Sequence, residues 1–280
     1  MANSLTKNFP LKRYFAFQII SKNRPALDDL LKLPSIFFIS TGRCGTTLIS
    51  KILENSEELT VVHNPLISLE YSSSRSLSVP LSIDQKKEVI YAARVENYFV
   101  EAYQKQRIYV ETNNRITTFC DVLYNLMPNS LFVHIIRDPK DFCANGINRQ
   151  YYATDRFDQY QRLFDHKEIR SSKSQLEKIV KEWNIINDFI ENFKSRDSAK
   201  RIYTIKFEDM ISSSNVLNNL WNELGIFSEI LSLKTQDLLT NKHNQSSESI
   251  VRFDQWNDTD KDIFLKSIDQ NLISKYGYID

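Results

Sequence analysis

A short segment, Ser40–Thr47, contains the residue types that bind a phosphate-like anion. It follows a run of apolar residues and precedes a stretch whose apolar residues recur at helical spacing. A turn between a strand and a helix presents free backbone N–H groups to an anion, and the helix dipole adds to the attraction. The segment supplies two glycines that allow a tight backbone, one cation and two hydroxyl donors: Gly42, Gly45, Arg43, Thr46 and Thr47. We predict an anion site here rather than a plain strand–helix turn.

The segment differs from the loop that binds nucleoside triphosphates. In the pattern G-x-x-x-x-G-K-[ST], a lysine follows the last glycine and contacts the transferring phosphate. Here Thr46 follows Gly45, and the spacing to the upstream glycine is different. We therefore expect a phosphate-like ligand other than a magnesium nucleoside triphosphate, and a metal-dependent phosphotransferase is the weaker alternative. The sequence has no pattern typical of metal ligands, so we expect no metal.

A second candidate anion site follows another apolar run, Leu131–Ile136. Arg137 stands at the end of this run, and arginine suits phosphate because its planar fork donates two parallel hydrogen bonds. Pro139 then indicates the first turn of a helix. The pattern R-D-P-K-D alone would also suit an ordinary strand end followed by a capped helix. The R-D-P-K-D pattern therefore indicates an anion site only in combination with the Ser40–Thr47 segment.

The elements that must position these residues alternate along the chain. Short apolar runs predict four strands: Ser35–Ser40, Arg107–Val110, Leu131–Ile136 and Arg201–Phe207. Apolar residues at helical spacing predict helices that begin near Thr46 or cover 85–104, 119–126, 139–149, 174–193, 216–224 and 263–273. The serine-rich patch Ser72–Ser78 is expected to be a mobile loop. The alternation predicts a three-layer α/β/α fold with a mainly parallel sheet, a P-loop-like nucleotide-binding architecture whose ligands bind at the carboxyl ends of the strands.

Length and composition set further limits. The 280 residues contain no linker rich in Pro, Gly or Ser, so we predict a single domain over residues 1–280, with residues 1–34 as an N-terminal extension that packs on it. The net charge of +1 argues against a nucleic-acid partner. No apolar run reaches the roughly 18 residues that span a bilayer, Lys12 and Arg13 interrupt a signal-peptide core, and three widely spaced cysteines suit a reducing compartment. We predict a cytoplasmic protein without a membrane span, and no feature specifies an oligomeric state.

The two motifs together resemble those of the sulfotransferase superfamily. Phe38–Leu48 (FISTGRCGTTL) looks like its 5′-phosphosulfate loop, and is most similar to the loops of bacterial and tyrosylprotein sulfotransferases, which usually read R-S-G-T-T. Leu131–Arg149 (LFVHIIRDPKDFCANGINR) looks like its 3′-phosphate motif. The resemblance implies 3′-phosphoadenosine-5′-phosphosulfate (PAPS) as the sulfonate donor, 3′,5′-ADP as the product and no metal. Two separate anion sites fit a donor that carries phosphate at both ends.

The resemblance also implies which residues bind the donor. These are Arg43, Cys44, Gly45, Thr46, Thr47, Arg137, Asn145, Arg149 and Arg252. For Arg252, a solvated surface charge is the alternative. Cys44 and Asn145 stand where the family often has serine, and Tyr109–Arg115 lacks a family lysine. Because Cys44 would lie at a helix N-terminus, we expect its thiol to have a lowered pKa and to be oxidisable. A weaker match is Phe207–Met210 (FEDM), which resembles a Y-E-D-L segment of the family.

Sulfonate transfer needs a base that takes the proton of the acceptor and has a pKa near neutrality. His63 lies twenty residues after Arg43, where related enzymes place a catalytic glutamate. We predict His63 as the base, and a pocket histidine without a catalytic role is the alternative. Glu70 and Glu111 are reserve candidates. Arg43 would stabilise the charge that develops on the bridging oxygen and the sulfonate. His134, inside a predicted strand, is expected to be a packed core residue.

These features predict one function and leave two alternatives. The expected reaction moves the sulfonate of PAPS, by in-line displacement, to a hydroxyl or amine of a saccharide or of a small molecule such as a secondary metabolite. One alternative is a non-catalytic nucleotide-binding protein, which the departures at Cys44, Asn145 and the missing lysine favour. The other, less favoured alternative is a phosphotransferase.

Overall fold

Five parallel strands form the centre of the protein, and two of them carry the anion motifs. The computed structural model describes residues 25–79, 81–153, 162–240 and 251–278. The strands are β1 (Ser35–Ile39), β2 (Leu59–Val62), β3 (Ile108–Glu111), β4 (Ser130–Ile136) and β5 (Ile202–Lys206). They pair in the order β2-β3-β1-β4-β5, and every neighbouring pair is parallel. Because β1 and β4 are neighbours, the segments that follow their carboxyl ends lie side by side.

Helices cover both faces of this sheet. Alternate residues of β1 and β4 belong to two separate hydrophobic clusters, with Phe37 and Phe132 in one and Phe38 and Val133 in the other. All five residues of β1 are buried, as expected of a parallel strand covered on both sides. The predicted α/β architecture with helices on both faces of the sheet is therefore confirmed.

Most helices follow the predicted periodicity. Along the chain they are α1 (Leu27–Leu31), α2 (Thr46–Leu53), α3 (Glu70–Ser78), α4 (Ile83–Ile90), a π-helix (Tyr91–Phe99), α5 (Val100–Gln104), a 3₁₀ turn (Asn114–Phe119), α6 (Cys120–Leu126), α7 (Pro139–Asn148), α8 (Lys167–Ser171), α9 (Gln175–Lys194), α10 (Phe207–Ser212), α11 (Ser214–Glu223), α12 (Glu229–Thr240), a second 3₁₀ turn (Phe253–Gln255), α13 (Asp258–Ser267) and α14 (Gln270–Lys275). The single helix expected over 263–273 is two helices, because Asp269 caps the N-terminus of α14 through hydrogen bonds from two backbone N–H groups.

The prediction of a mobile loop at Ser72–Ser78 is wrong, because these residues form most of α3. Ser73 and Ser76 are buried on one side of this helix. The hydroxyls of Ser74, Ser76 and Ser78 donate to backbone carbonyls three or four residues earlier. These bonds satisfy the polar groups inside the helix, so packing against the rest of the protein outweighs the modest helix propensity of serine.

Two predictions extend beyond the described residues. The expected N-terminal extension includes residues 1–24, which lie outside the described ranges. The extension and the single domain over 1–280 therefore stay predictions. Among the residues that the structure describes, no helix is long and apolar enough to cross a membrane.

His134 is a packed core residue on β4, as predicted. Its side chain is fully buried, and its Nε2 atom lies 3.2 Å from Oδ1 of Asn187. Its Nδ1 atom lies 4.0 Å from a carboxylate oxygen of Glu191. Burial, reinforced by the charge of Lys194, lowers the pKa of His134 to about 3. The imidazole is therefore neutral in the folded protein.

This buried histidine makes the fold sensitive to acid. An unfolded histidine has a pKa of about 6.5, so between pH 6.5 and about 3 the unfolded chain binds one more proton at His134 than the folded chain. Stability from this group is present above pH 6.5 and is lost as the pH falls. Between pH 7 and pH 5, we expect the free energy of unfolding of the wild type to fall by about 2 kcal/mol more than that of His134→Gln. Urea unfolding at both pH values measures this difference. His166→Gln, at a partly exposed site, is the control, and identical pH slopes for His134→Gln and wild type would contradict the expectation.

Candidate functional site

The Ser40–Thr47 segment connects β1 to α2 and turns sharply at two glycines. Gly42 has φ +85° and Gly45 has φ +79°, a region that residues with a Cβ atom rarely adopt. A Cβ on Gly45 would lie 2.5 Å from Cε of Met210, and one on Gly42 would lie 2.9 Å from Nδ2 of Asn114. Gly45 is also the N-cap of α2. Both glycines are therefore required by the backbone conformation and by the close packing of the neighbouring segments.

Cys44 turns its side chain away from solvent. The thiol is fully buried in the cluster that includes Met210, and it donates to the carbonyl of Gly42 across 3.1 Å. Burial raises the pKa of Cys44. The expectation of a lowered pKa and an oxidisable thiol is thus wrong, because desolvation of the thiolate outweighs the attraction of the helix N-terminus. The side chain points away from the loop surface, so only the backbone of Cys44 remains a candidate contact for an anion.

Three arginines converge at the edge formed by the two motifs. Nη1 of Arg137 donates to the carbonyl oxygen of Arg43 across 2.7 Å. Burial lowers the pKa of Arg43, and the nearby charges of Arg149 and Arg137 lower it further. Since positive charges in proximity repel each other, an anion placed among them is stabilised by all three. The structure therefore brings together three of the predicted donor-binding residues from two motifs.

The surroundings hold Arg137 in place. Its guanidinium lies 4.5 Å from the ring centre of Phe207, and Nη2 lies 3.6 Å from a carboxylate oxygen of Asp141. The indole N–H of Trp183 donates to the carbonyl of Arg137. Nε of Arg137 is buried and has no hydrogen-bond partner within the described ranges. The contacts with Phe207, Asp141 and Trp183 thus orient Arg137.

Glu208 in the FEDM segment is a further supporting residue, which only a weak family match indicated. Oε1 of Glu208 accepts from the backbone N–H of Asp138 at 3.0 Å, and Oε2 accepts from the hydroxyl of Tyr278 at 2.9 Å. Glu208 therefore fixes the backbone that follows Arg137. Tyr278, near the end of the chain, carried no signal at all, because its partner lies 70 residues away.

The other two predicted 3′-phosphate residues, Asn145 and Arg252, are placed less closely than Arg137 and Arg149. Asn145 lies on α7, and its amide Nδ2 donates to the backbone carbonyl of Asp141 at 2.9 Å. Arg149 is exposed at the C-cap of the same helix. Arg252 is exposed immediately before the 3₁₀ turn Phe253–Gln255, which contacts α7 through the ammonium of Lys140, 5.0 Å from the ring of Phe253. The structure thus places Arg252 beside α7 but shows no contact between its guanidinium and Arg137.

His63 follows β2, a strand that the sequence reading missed, and its half-buried ring lies next to the loop. Nε2 lies 3.0 Å from the hydroxyl of Thr47, and Nδ1 lies 2.9 Å from the hydroxyl of Thr112. Burial is the main cause that lowers the pKa of His63. The ring is therefore mostly neutral near pH 7 and able to accept a proton, which is the state that a base requires.

The two reserve carboxylates differ in availability. Glu111 is fully buried, receives two 2.8 Å hydrogen bonds from Arg94 and accepts a third from the hydroxyl of Tyr109 at 2.7 Å. Its carboxylate is enclosed, so it is not available as a base. Glu70 begins α3 and lies 3.3 Å from the guanidinium of Arg115, partly buried.

The burial of the cysteines has a chemical consequence. Cys44, Cys120 and Cys143 are all buried, and burial raises the pKa of each thiol. Because only thiolates react readily with iodoacetamide, we expect the folded protein at pH 7.5 to be alkylated far more slowly at all three cysteines than the urea-unfolded protein. Peptide mass spectrometry measures the rate at each cysteine, and the unfolded chain is the control. Rapid alkylation of Cys44 in the folded protein would contradict the buried position of its thiol.

Comparison with known proteins gives a family match. The model of the sulfotransferase family matches residues 34–226, a range that includes both anion motifs and His63. No curated protein sequence matches the chain.

Solved sulfotransferase structures share the fold. A sulfotransferase domain from the curacin biosynthetic pathway has a TM-score of 0.50 at 16% identity, covering 89% of this chain and 99% of that chain. Sulfotransferase STF9 from Mycobacterium avium has a TM-score of 0.52 at 11% identity, covering 93% and 80%. Sulfotransferase STF1 from Mycobacterium tuberculosis H37Rv has a TM-score of 0.52 at 13% identity, covering 89% and 81%. At these identities the likeness concerns the fold alone. Because the family model matches more than half of the chain, including both motifs at the basic edge of the sheet, the chain belongs to the sulfotransferase family.

Proposed function

We propose that this sulfotransferase uses PAPS as its donor and transfers the sulfonate to a hydroxyl or amine of a small-molecule or saccharide acceptor. The observation that carries the proposal is the hydrogen bond from Arg137 to the carbonyl of Arg43, which makes one continuous basic surface of two anion motifs. PAPS carries a phosphosulfate at one end and a phosphate at the other, and therefore needs two such motifs close together.

The residues divide between the two ends of the donor. At the N-terminus of α2, the backbone N–H groups and the hydroxyls of Thr46 and Thr47 suit the 5′-phosphosulfate. Arg137 suits the 3′-phosphate, because its guanidinium is already oriented by Phe207 and Asp141. Arg149, Asn145 and Arg252 complete the proposed set, which is Arg43, Cys44, Gly45, Thr46, Thr47, Arg137, Asn145, Arg149 and Arg252.

The chemistry follows from this placement. The acceptor oxygen or nitrogen attacks sulfur opposite the bridging oxygen, the sulfur–oxygen bond to the 5′-phosphate breaks, and 3′,5′-ADP leaves. The acceptor's proton passes to Nε2 of His63, the ring nitrogen that lies next to the loop. Arg43 and the N-terminus of α2 stabilise the charge that develops on the bridging oxygen and the sulfonate. No step of this displacement requires a metal.

A non-catalytic nucleotide-binding protein is the second candidate function. The amide of Asn145 already donates within its own helix, which weakens its use as a phosphate donor and favours this candidate. The buried thiol of Cys44 no longer counts in its favour, because a side chain at that position does not reach the loop surface. Binding of donor without turnover separates the two functions.

Donor binding is tested with 3′,5′-ADP by isothermal titration calorimetry. We expect Arg137→Ala to weaken binding at least about tenfold, because a charge-assisted hydrogen bond contributes about 1.5–3 kcal/mol. Arg196→Ala is the matched control, since Arg196 is an exposed arginine at the opposite edge of the sheet, between α9 and β5. Affinity in the control should equal that of the wild type. Absence of 3′,5′-ADP binding in the wild type would exclude PAPS as the donor.

Turnover is tested by release of 3′,5′-ADP from PAPS in a panel of hydroxyl and amine acceptors, including oligosaccharides. We expect His63→Gln to lower the rate by about 10²–10⁴-fold while 3′,5′-ADP binding is retained. The active form of His63 is neutral and burial lowers its pKa, so the wild-type rate should be flat above pH 7 and fall only in acid. The acid limb should be absent in His63→Gln. Retained activity in this variant would assign the proton to another group.

A further inference from the structure

His63 is held between two threonine hydroxyls that come from different parts of the fold. Thr112 directly follows β3, and its hydroxyl lies 2.9 Å from Nδ1. Thr47 lies in the first turn of α2, and its hydroxyl lies 3.0 Å from Nε2. Both ring nitrogens of the proposed base therefore have a hydrogen-bond partner. The partner of Nε2 belongs to the Ser40–Thr47 loop, and the partner of Nδ1 lies outside it.

The Thr112 side is rigid. The backbone N–H of Thr112 donates to the carbonyl of Val62 at 2.9 Å, which extends the pairing of β2 and β3 up to the residue before His63. Thr112 is fully buried. Its hydroxyl is the group that contacts Nδ1 of His63. A base at Nε2, the nitrogen beside the loop, needs a lone pair there, so in the proposed role of His63 the ring proton lies on Nδ1 and is donated to the Thr112 hydroxyl.

The Thr47 side is exchangeable. Thr47 is exposed in the turn where backbone N–H groups and hydroxyls suit an anion. Its hydroxyl has one proton, which it can donate either to the lone pair of Nε2 or to an anion oxygen, but not to both. An anion bound at the loop therefore competes with His63 for this proton. When the anion binds, Nε2 is left free to accept a proton from another group.

We propose that Thr112 and Thr47 are positioning residues for His63: Thr112 holds the ring with its proton on Nδ1, and Thr47 covers Nε2 until an anion at the loop takes its hydroxyl. The inference rests on the proposed role of His63 as the base. It couples the two substrates, because Nε2 becomes available for the acceptor's proton only when the donor occupies the loop. No covalent step is added to the reaction.

The test observes the ring nitrogens directly and uses 3′,5′-ADP as the probe. The sequence has four histidines, so protein labelled with ¹⁵N-histidine gives few signals, and His63→Gln assigns those of His63. We expect the wild type to show a protonated Nδ1 and a lone-pair Nε2. Addition of 3′,5′-ADP should shift the Nε2 signal, since its hydrogen bond from Thr47 is replaced.

Two pairs of variants separate the two threonines. Thr112→Val should average the Nδ1 and Nε2 signals toward each other, and Thr112→Ser should restore their separation. Thr47→Val should shift the Nε2 signal before addition and abolish the response to 3′,5′-ADP, and Thr47→Ser should restore both. Thr60→Val is the matched control on β2, because the buried Thr60 hydroxyl has no hydrogen-bond partner in the described part of the chain. Its spectrum should equal that of the wild type.

A pH titration of the same signals measures the pKa of His63. This pKa would not change if Thr112 had a purely structural role. The charged groups that act on the ring are Glu54, which raises the pKa of His63, and Arg115, which lowers it. Thr112→Val leaves both in place and removes a hydrogen bond from the ring, so the titration should move to lower pH. Thr112→Ser should titrate like the wild type.

Two results would overturn the proposal. One is an unchanged ratio of ring tautomers in Thr112→Val. The other is an Nε2 signal that responds to 3′,5′-ADP equally in Thr47→Val and wild type. Failure of the proposed function looks different, since 3′,5′-ADP would then not bind in calorimetry. In that case the tautomer comparison of the Thr112 variants, which needs no ligand, still decides the role of Thr112.

Discussion

The hydrogen bond from Arg137 to the carbonyl of Arg43 joins the segments that follow β4 and β1. It is possible because the two strands are parallel neighbours, with Ile39 opposite His134 in the register. It also depends on the left-handed backbone of Arg43, which lies between two glycine-dependent turns. This one contact converts two motifs, 94 residues apart in the chain, into a single basic surface. The proposed donor-binding half of the site depends on this contact.

Such a surface needs support, because its positive charges repel each other. The support comes from groups that do not themselves face a ligand: the ring of Phe207 against the Arg137 guanidinium, the indole of Trp183 on its carbonyl, and Glu208 on the following N–H. These contacts immobilise Arg137 before any anion binds, which lowers the entropic cost of binding. Tight packing around the guanidinium is the feature expected of a preorganised anion site.

His63, the proposed base, is positioned by a separate and largely buried framework. The π-helix places the fully buried Arg94 against Glu111, and Nη1 of Arg94 also donates to the carbonyl of Ile67 at 2.7 Å. A buried ion pair contributes little net stability but costs a great deal to break. Its role here is to hold the chain that follows His63. Glu111, a reserve candidate for the base, is thus part of the scaffold. His63 is only half-buried and remains accessible.

Several features follow from the sequence by itself. The apolar run before Ser40 and the run before Arg137 each specify a buried strand with an anion motif at its end, because strand burial and loop chemistry are encoded by neighbouring residues. The resemblance to sulfotransferases likewise implied that His63, twenty residues after Arg43, lies near the loop. Other features depend on contacts between distant segments. Desolvation reverses the expected acidity of Cys44, Arg94 of the π-helix encloses Glu111 on β3, and packing turns the serine-rich patch into α3. The two threonines around His63 come from two different elements. Burial and long-range hydrogen bonding set these properties, and both are determined only when the tertiary structure brings the segments together.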